Sequence, residues 1–154
     1  AFLALVEKER PCLYLHKQGY SCAPDAFCGD GCPLIVCDCP PERLNEIPFQ
    51  ITVVKDCFSG AILGCSGPVL FNADRGGAVS LPTSGVIPIS YGLSEKNSVT
   101  VSSIETDCIT VTVQRELTGL RGQSVEPQDI VLKTQVERGS LSPVIAAAIF
   151  LQLI

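Results

Sequence analysis

The residues with the clearest chemical potential are the nine cysteines of this 154-residue chain. Most of them crowd into the first quarter of the sequence, among proline, glycine and aspartate residues that favour turns. Cysteines at this density form disulfides in exported proteins or bind metal in cytosolic ones. We predict that all nine are disulfide or cross-linking residues: Cys12, Cys22, Cys28, Cys32, Cys37, Cys39, Cys57, Cys65 and Cys108.

An odd number of cysteines cannot be fully paired within one chain. At least one sulfur must therefore remain a thiol, bind a ligand or bridge to another chain. Zinc is the alternative to disulfides, because Cys28, Cys32, Cys37 and Cys39 offer four thiolates. Their spacing lacks the short C-x2-C pairs that are typical of zinc sites. The sequence favours disulfides in an oxidising compartment, with no metal site and no cofactor.

Catalytic residues are not evident. His16 is the only histidine, and it stands in a short alternating stretch without a nucleophile motif nearby. The turn sequence 64–67 is followed by Pro68, so it does not match a nucleophile elbow. The acidic pairs lack the spacing of a calcium loop: Asp25 with Asp30, Glu105 with Asp107, and Glu126 with Asp129. We therefore predict that the protein is not an enzyme.

Charge and hydropathy exclude two further classes of partner. The net charge is −5 and the basic residues are scattered, whereas nucleic-acid binding depends on clustered lysine and arginine. The apolar segment 143–154 is shorter than the roughly 20 residues of a membrane-spanning helix. We interpret it as a buried strand or a docking segment, with a short helix as the alternative because of Ala146 to Ala148. Neither nucleic acid nor a membrane span is predicted.

The elements that must position the cysteines fall into two parts. Residues 1–41 form a cysteine-rich N-terminal arm that ends near Pro40-Pro41, and residues 42–154 form a β domain. Short β-branched and apolar runs separated by turn signals predict an all-β jelly roll or β-sandwich. No internal repeat at solenoid spacing is evident. The predicted strands are 47–55, 61–63, 69–71, 78–81, 86–91, 99–104, 108–113, 130–136 and 144–153.

Within that β domain the segment Cys108–Val113 has the clearest strand pattern. Its residues alternate between apolar and polar types, so we expect Ile109, Val111 and Val113 to face the core. Cys108 should then lie on the opposite face, with the threonines.

Three short stretches resemble cysteine-rich spore coat and exosporium proteins. They are the C-G-x-G-C pattern from Cys28 to Cys32, the Pro-Phe pair Pro48-Phe49, and the strand that begins Cys108-Ile109-Thr110-Val111. The cysteine-dense motif of those proteins, expected after that strand, is absent from Gln114 to Gly122. The architecture is also similar to that of endospore appendage subunits, in which a jelly roll carries a cysteine-bearing N-terminal connector. Both resemblances imply a self-assembling, disulfide-bonded surface structure.

These observations predict a structural subunit whose partners are copies of itself. The predicted location is extracellular or on a cell or spore surface, in a filament or layer. Assembly would use strand complementation by the apolar segments 1–6 and 144–154, unless both segments pair within their own fold. The alternative is a secreted, disulfide-stapled binding module or adhesin that recognises a ligand with loops such as 66–77. A zinc-stabilised protein is the further alternative.

Overall fold

The computed structural model describes residues 2–6, 21–23, 26–29, 32–38, 44, 49–54, 58–77, 79–133 and 140–153. Within these residues the protein is predominantly β, as predicted. The strands are β1 (Phe2–Val6), β2 (Ser21–Ala23), β3 (Ala26–Gly29), β4 (Cys32–Asp38), β5 (Ile51–Val54), β6 (Gly60–Ala61), β7 (Gly67–Asn72), β8 (Val79–Ser80), β9 (Val86–Gly92), β10 (Val99–Ile104), β11 (Cys108–Val113), β12 (Leu117–Thr118), β13 (Ser124–Val125) and β14 (Gln128–Lys133). The described helix is α1 (Ser142–Leu153).

Ten of these strands form one mixed sheet in the order β14-β11-β10-β9-β7-β5-β1-β4-β3-β2. The six strands from β10 to β4 pair in parallel, and the two outer strands at each end pair antiparallel. A jelly roll is built from antiparallel strands, so the described pairing does not support that part of the prediction. The strands of the N-terminal arm continue the same sheet, since β1 lies between β4 and β5.

The parallel strands β5, β7 and β9 follow one another as turns of a coil. Gly67 pairs with Val86, and Gly60 pairs with Val79, so these two strand pairs share an offset of 19 residues. The connections contain β6 and β8, which pair in parallel as a separate two-stranded sheet. This structural repeat was not predicted. The paired segments 67–72 and 86–91 share no residue identity, and among their pairs only Leu70 and Ile89 are both buried.

Side chains on the two faces of the large sheet enter two different cores. On one face Val53, Leu70 and Ile89 pack with the apolar side of β11 and with α1. On the other face Val54 and Val69 pack with Ile62, which follows β6. The described domain thus has three layers: a helix, the large sheet and a small parallel sheet. Tyr91 is fully buried in the first core, and its hydroxyl donates to the carbonyl oxygen of Val54 over 2.7 Å.

The C-terminal apolar segment is a helix and not a strand, so the primary prediction for it was wrong. Pro143 stands in its first turn, where a missing N–H costs nothing, and Ala146 to Ala148 have the highest helix propensity. Apolar residues occupy both faces of α1 because its described side chains are buried, including Ile145, Ile149 and Leu151, except for the half-buried Phe150. No helix among the described residues is long and apolar enough to cross a membrane.

The strand with the clearest sequence pattern behaves as predicted. In β11 the side chains of Ile109, Val111 and Val113 are buried, and the alternate positions are half-buried on the other face. Pro88 lies within β9 opposite Val69 of β7, at a position where β10 does not pair with β9. β10 pairs with β9 only at Tyr91 and Gly92. The absence of an N–H on Pro88 therefore removes no hydrogen bond between β9 and β10.

Candidate assembly edge and cross-linking cysteines

The large sheet ends in strand β14, which pairs with β11 on one side only. Most of its side chains are exposed, and Val131 is exposed to 58 % in spite of its apolar character. On its outer side, the backbone N–H and C=O groups of β14 pair with no described strand. Unpaired groups of this kind are a template for another strand. Strand β2 is the corresponding edge at the opposite end of the sheet.

Hydroxyl groups form hydrogen bonds between strands on the outward face of the sheet next to this edge. Thr112 donates to a carboxylate oxygen of Asp129 over 2.5 Å, which ties β11 to β14. Ser103 donates to the hydroxyl oxygen of Thr110 over 3.0 Å, which ties β10 to β11. The register places Val131 directly opposite Thr110, so this apolar side chain lies beside a hydroxyl-bearing strand. The register between β11 and β14 is continuous up to this edge, whereas the pairing of β10 with β11 shifts between Val101 and Ser103.

Cys65 and Cys108 are unpaired and half-buried, and both were predicted cross-linking residues. Burial raises the pKa of the Cys65 thiol above its ordinary value, and a backbone hydrogen bond opposes that effect. The pKa of the Cys108 thiol is also raised, first by loss of solvation and then by the carboxylates of Glu105 and Asp107, while Lys133 lowers it. The thiolate is the nucleophile in disulfide exchange, and a raised pKa lowers the thiolate fraction of both residues at neutral pH.

Glu105, Asp107 and Cys108 form a group whose possible ligand atoms lie within 4.8 Å of one another. The thiol of Cys108 donates to Oε2 of Glu105 over 3.5 Å. Such a group could hold a divalent cation only with the sulfur deprotonated, and the raised pKa opposes that state. The two carboxylates are exposed, so solvated turn residues explain this group best.

Four further cysteines lie in β2, β3 and β4, and the strand register keeps them apart. Cys22 pairs with Phe27, Cys28 with Pro33, and Cys32 with Gly29. Cys37 pairs with Ala4 on the next strand. None of the four is therefore a cross-strand partner of another. The remaining predicted cysteines, Cys12, Cys39 and Cys57, lie outside the described residues, as does His16.

An open groove of about 400 Å³ lies on the surface near the start of β7. Its apolar wall includes Phe49, Pro68 and Leu120, and its polar groups include Ser66. It contains the first three residues of loop 66–77, which recognises a ligand in the alternative prediction of a binding module. The volume falls in the range of small-molecule sites, but such sites bury most of their ligand, and this groove is open.

Comparison of the chain with protein-family models and with curated proteins gives no match. The geometry of the edges and the cysteines must therefore carry the functional argument.

The sequence reasoning missed one group of hydrogen bonds, which is centred on Asp74. Residues 74 and 75 form a turn, and Asp74 also anchors the loop after β9. Its carboxylate accepts from the N–H of Leu93 over 2.6 Å and from the side-chain amide of Asn97 over 2.7 Å. Its own N–H donates to the side-chain oxygen of Asn72 over 2.9 Å. The Asn-x-Asp spacing, typical of a side-chain turn, was the available signal.

Proposed function

We propose that this protein is a structural subunit that assembles with copies of itself through sheet edges and is cross-linked by disulfides. The observation that carries the proposal is the ten-stranded sheet with unpaired edges at β14 and β2. Addition of one subunit's edge to the opposite edge of the next would continue the sheet. A contact between two different surfaces of the same chain repeats without closing, and open filaments form in this way.

Edge pairing replaces the predicted strand donation from the chain ends. Strand β1 already has two partners within its own sheet, and α1 is buried in the core. Withdrawing either segment to serve a neighbour would remove ladder hydrogen bonds or expose apolar surface. The edges are available without any such rearrangement.

The cysteines supply the covalent part of the proposal. Cys22 lies on the edge strand β2, and Cys108 lies one strand in from the β14 edge. Disulfides persist outside the reducing cytosol, which favours an extracellular or spore-surface location. We expect the bridges to lock contacts that the sheet edges have first positioned.

Light scattering and electron microscopy of the purified chain, with and without reductant, test this function. We expect multimers in both conditions, and bands of higher mass on a non-reducing gel that disappear on reduction. A chain that remains monomeric at high concentration in both conditions contradicts the proposal.

A secreted binding module is the second candidate, and the groove beside Pro68 favours it. It predicts a monomer in which every disulfide joins two cysteines of the same chain. A disulfide map by mass spectrometry separates the two candidates.

A further inference from the structure

The direction of the backbone groups in β11 follows from the hydrogen bonds at its two ends. The carbonyl oxygen of Cys108 accepts from the N–H of Glu105, just beyond the end of β10. At the other end, the N–H of Gln114 donates to the carbonyl oxygen of Ser98, just before β10 begins. In an antiparallel ladder, alternate residues direct their N–H and C=O groups to the same side. The even-numbered residues of β11 therefore bond toward β10, and the odd-numbered residues bond toward β14.

The same alternation identifies the free backbone groups of β14. In the continuous register between β11 and β14, odd-numbered residues of β11 lie opposite even-numbered residues of β14. Those even-numbered residues use their N–H and C=O groups within the sheet. The backbone groups of Asp129, Val131 and Lys133 therefore point outward, where no described strand pairs with them.

These three residues also share one face of the sheet, since side chains alternate along a strand. All three side chains are exposed, on the face opposite the buried Leu132. Val131 stands in the middle, with a carboxylate two positions before it and an ammonium group two positions after it. The free edge thus carries an apolar centre between two opposite charges.

We infer that β14 pairs antiparallel with β14 of a second copy of this chain, with Val131 opposite the Val131 of that copy. In this register Asp129 lies opposite Lys133 of the second copy, and Lys133 lies opposite its Asp129. Each of these residue pairs exchanges two backbone hydrogen bonds, because its outward groups face each other. The inference rests on the proposed function and specifies which edges meet.

Charge complementarity selects this register. Shifting it by two residues keeps the faces aligned but places Asp129 or Lys133 opposite Val131, so that the charges no longer pair. Lysine on an edge strand usually discourages pairing, whereas here each lysine meets a carboxylate. Opposite charges directly across a strand pair are stabilising.

The length and sequence of the other edge favour the same choice. Strand β2 has three residues, Ser21–Ala23, and none of them is charged. It can pair with only part of β14 and leaves Asp129 and Lys133 without partners of opposite charge. Pairing of β14 with itself therefore takes the place of a contact between β14 and β2. The resulting two-fold dimer leaves a β2 edge at each end, through which the sheet can grow further.

Reversal of the two charges tests this pairing. Asp129→Lys gives the dimer two pairs of facing lysines, and Lys133→Asp gives it two pairs of facing carboxylates. Each variant alone should have a dissociation constant roughly tenfold higher than that of the unaltered chain. An equal mixture of the two should recover the original affinity as a heterodimer, because every facing pair again has opposite charges. The double variant, Asp129→Lys with Lys133→Asp, should recover it as a homodimer.

Analytical ultracentrifugation of the full chain in reductant measures these constants. Native mass spectrometry of the mixture, with one variant labelled with nitrogen-15, identifies the heterodimer. Glu95→Lys and Lys96→Asp are the matched controls, since both residues are exposed in the loop before β10. Neither control should change the dissociation constant, alone or mixed.

Asp129→Asn separates the role in pairing from a role in folding. Asp129 also accepts a hydrogen bond from Thr112, and an amide oxygen at that position can still accept it. This variant should unfold like the unaltered chain, yet bind its copy severalfold more weakly and with less dependence on salt.

The outcomes distinguish this inference from the proposed function. Multimers whose affinity is unchanged by the charge reversals, or lost without recovery in the mixture and in the double variant, overturn the pairing of β14 with itself. They leave assembly through another edge contact intact. An unaltered chain that stays monomeric at high concentration, with and without reductant, contradicts both.

Discussion

At the scale of single residues, the reactivity of Cys108 depends on the charges around it. Glu105 accepts its S–H and, with Asp107, raises the pKa of the thiol, while Lys133 lowers it. Replacing Glu105 by Gln should lower that pKa and speed alkylation at neutral pH by roughly two- to tenfold, since lowering a pKa by one multiplies the thiolate fraction about tenfold. Lys133→Gln should slow alkylation. Site-resolved mass spectrometry measures both rates, and Cys65 in the same samples is the internal control, whose rate should not change.

Asp74 is the residue on which the loop between β9 and β10 depends. Its carboxylate accepts the N–H groups of Leu93 and Ser94 and the amide of the buried Asn97. Asp74→Ala leaves these donors without that acceptor, so we expect a loss of about 1–3 kcal/mol in the free energy of unfolding. Chemical denaturation measures the loss.

Glu95→Ala is the matched control for Asp74, because Glu95 is an exposed carboxylate in the same loop. Its effect should stay within about 0.5 kcal/mol. Gly92→Ala should reproduce the Asp74 defect, since a Cβ at Gly92 would overlap the Asp74 carboxylate and the Asn97 amide, at a φ of +156°. Equal stability of the Asp74 and Glu95 variants would refute the anchoring role.

At the scale of elements, the local sequence pattern predicted several strands correctly but did not predict how the strands pair with one another. The alternation of β11 follows from one buried and one half-buried face, so the sequence pattern was sufficient. The parallel order of β5, β7 and β9 depends on loops that carry each strand back to the same end of the sheet, and no local signal encodes that return. The apolar run of α1 lacks polar alternation because the helix is buried on every side, and such a run is compatible with a buried strand or a buried helix.

Helix α1 contains a polar residue that its packing does not satisfy. Gln152 is fully buried, and neither its side-chain nitrogen nor its side-chain oxygen has a hydrogen-bond partner among the described residues. Gln152→Leu keeps a similar volume and removes the unpaired groups, so it should raise the free energy of unfolding by about 1–3 kcal/mol. Gln114→Leu, at an exposed position, is the control and should have little effect on denaturation. Destabilisation by Gln152→Leu would mean that the amide has a role in the folded state.

At the scale of the whole molecule, the two sheet edges and the cysteines have separable roles in the proposed assembly. In that proposal the edges supply reversible, directional contacts, and disulfides make those contacts permanent. Under reducing conditions only the first contribution operates, so edge variants can be tested without interference from disulfides. Covalent cross-linking in the proposed assembly depends on both, since the raised pKa values of the Cys65 and Cys108 thiols lower their thiolate fractions and long-lived contacts give exchange more time.

Val131 on the β14 edge is the position at which edge assembly can be tested most directly. Val131→Lys would place a charge where a neighbouring strand would pack, and lysine on edge strands discourages pairing. A cross-strand pair contributes about 0.2–1 kcal/mol, so each contact should weaken by up to roughly fivefold.

Leu63→Lys is the matched control, because Leu63 is exposed to 67 % but follows β6, away from the β14 strand. Light scattering in reductant should show smaller multimers for the Val131 variant alone, with unchanged thermal unfolding for both. Equal loss of assembly in the two variants would mean that general surface charge, and not pairing at β14, controls association.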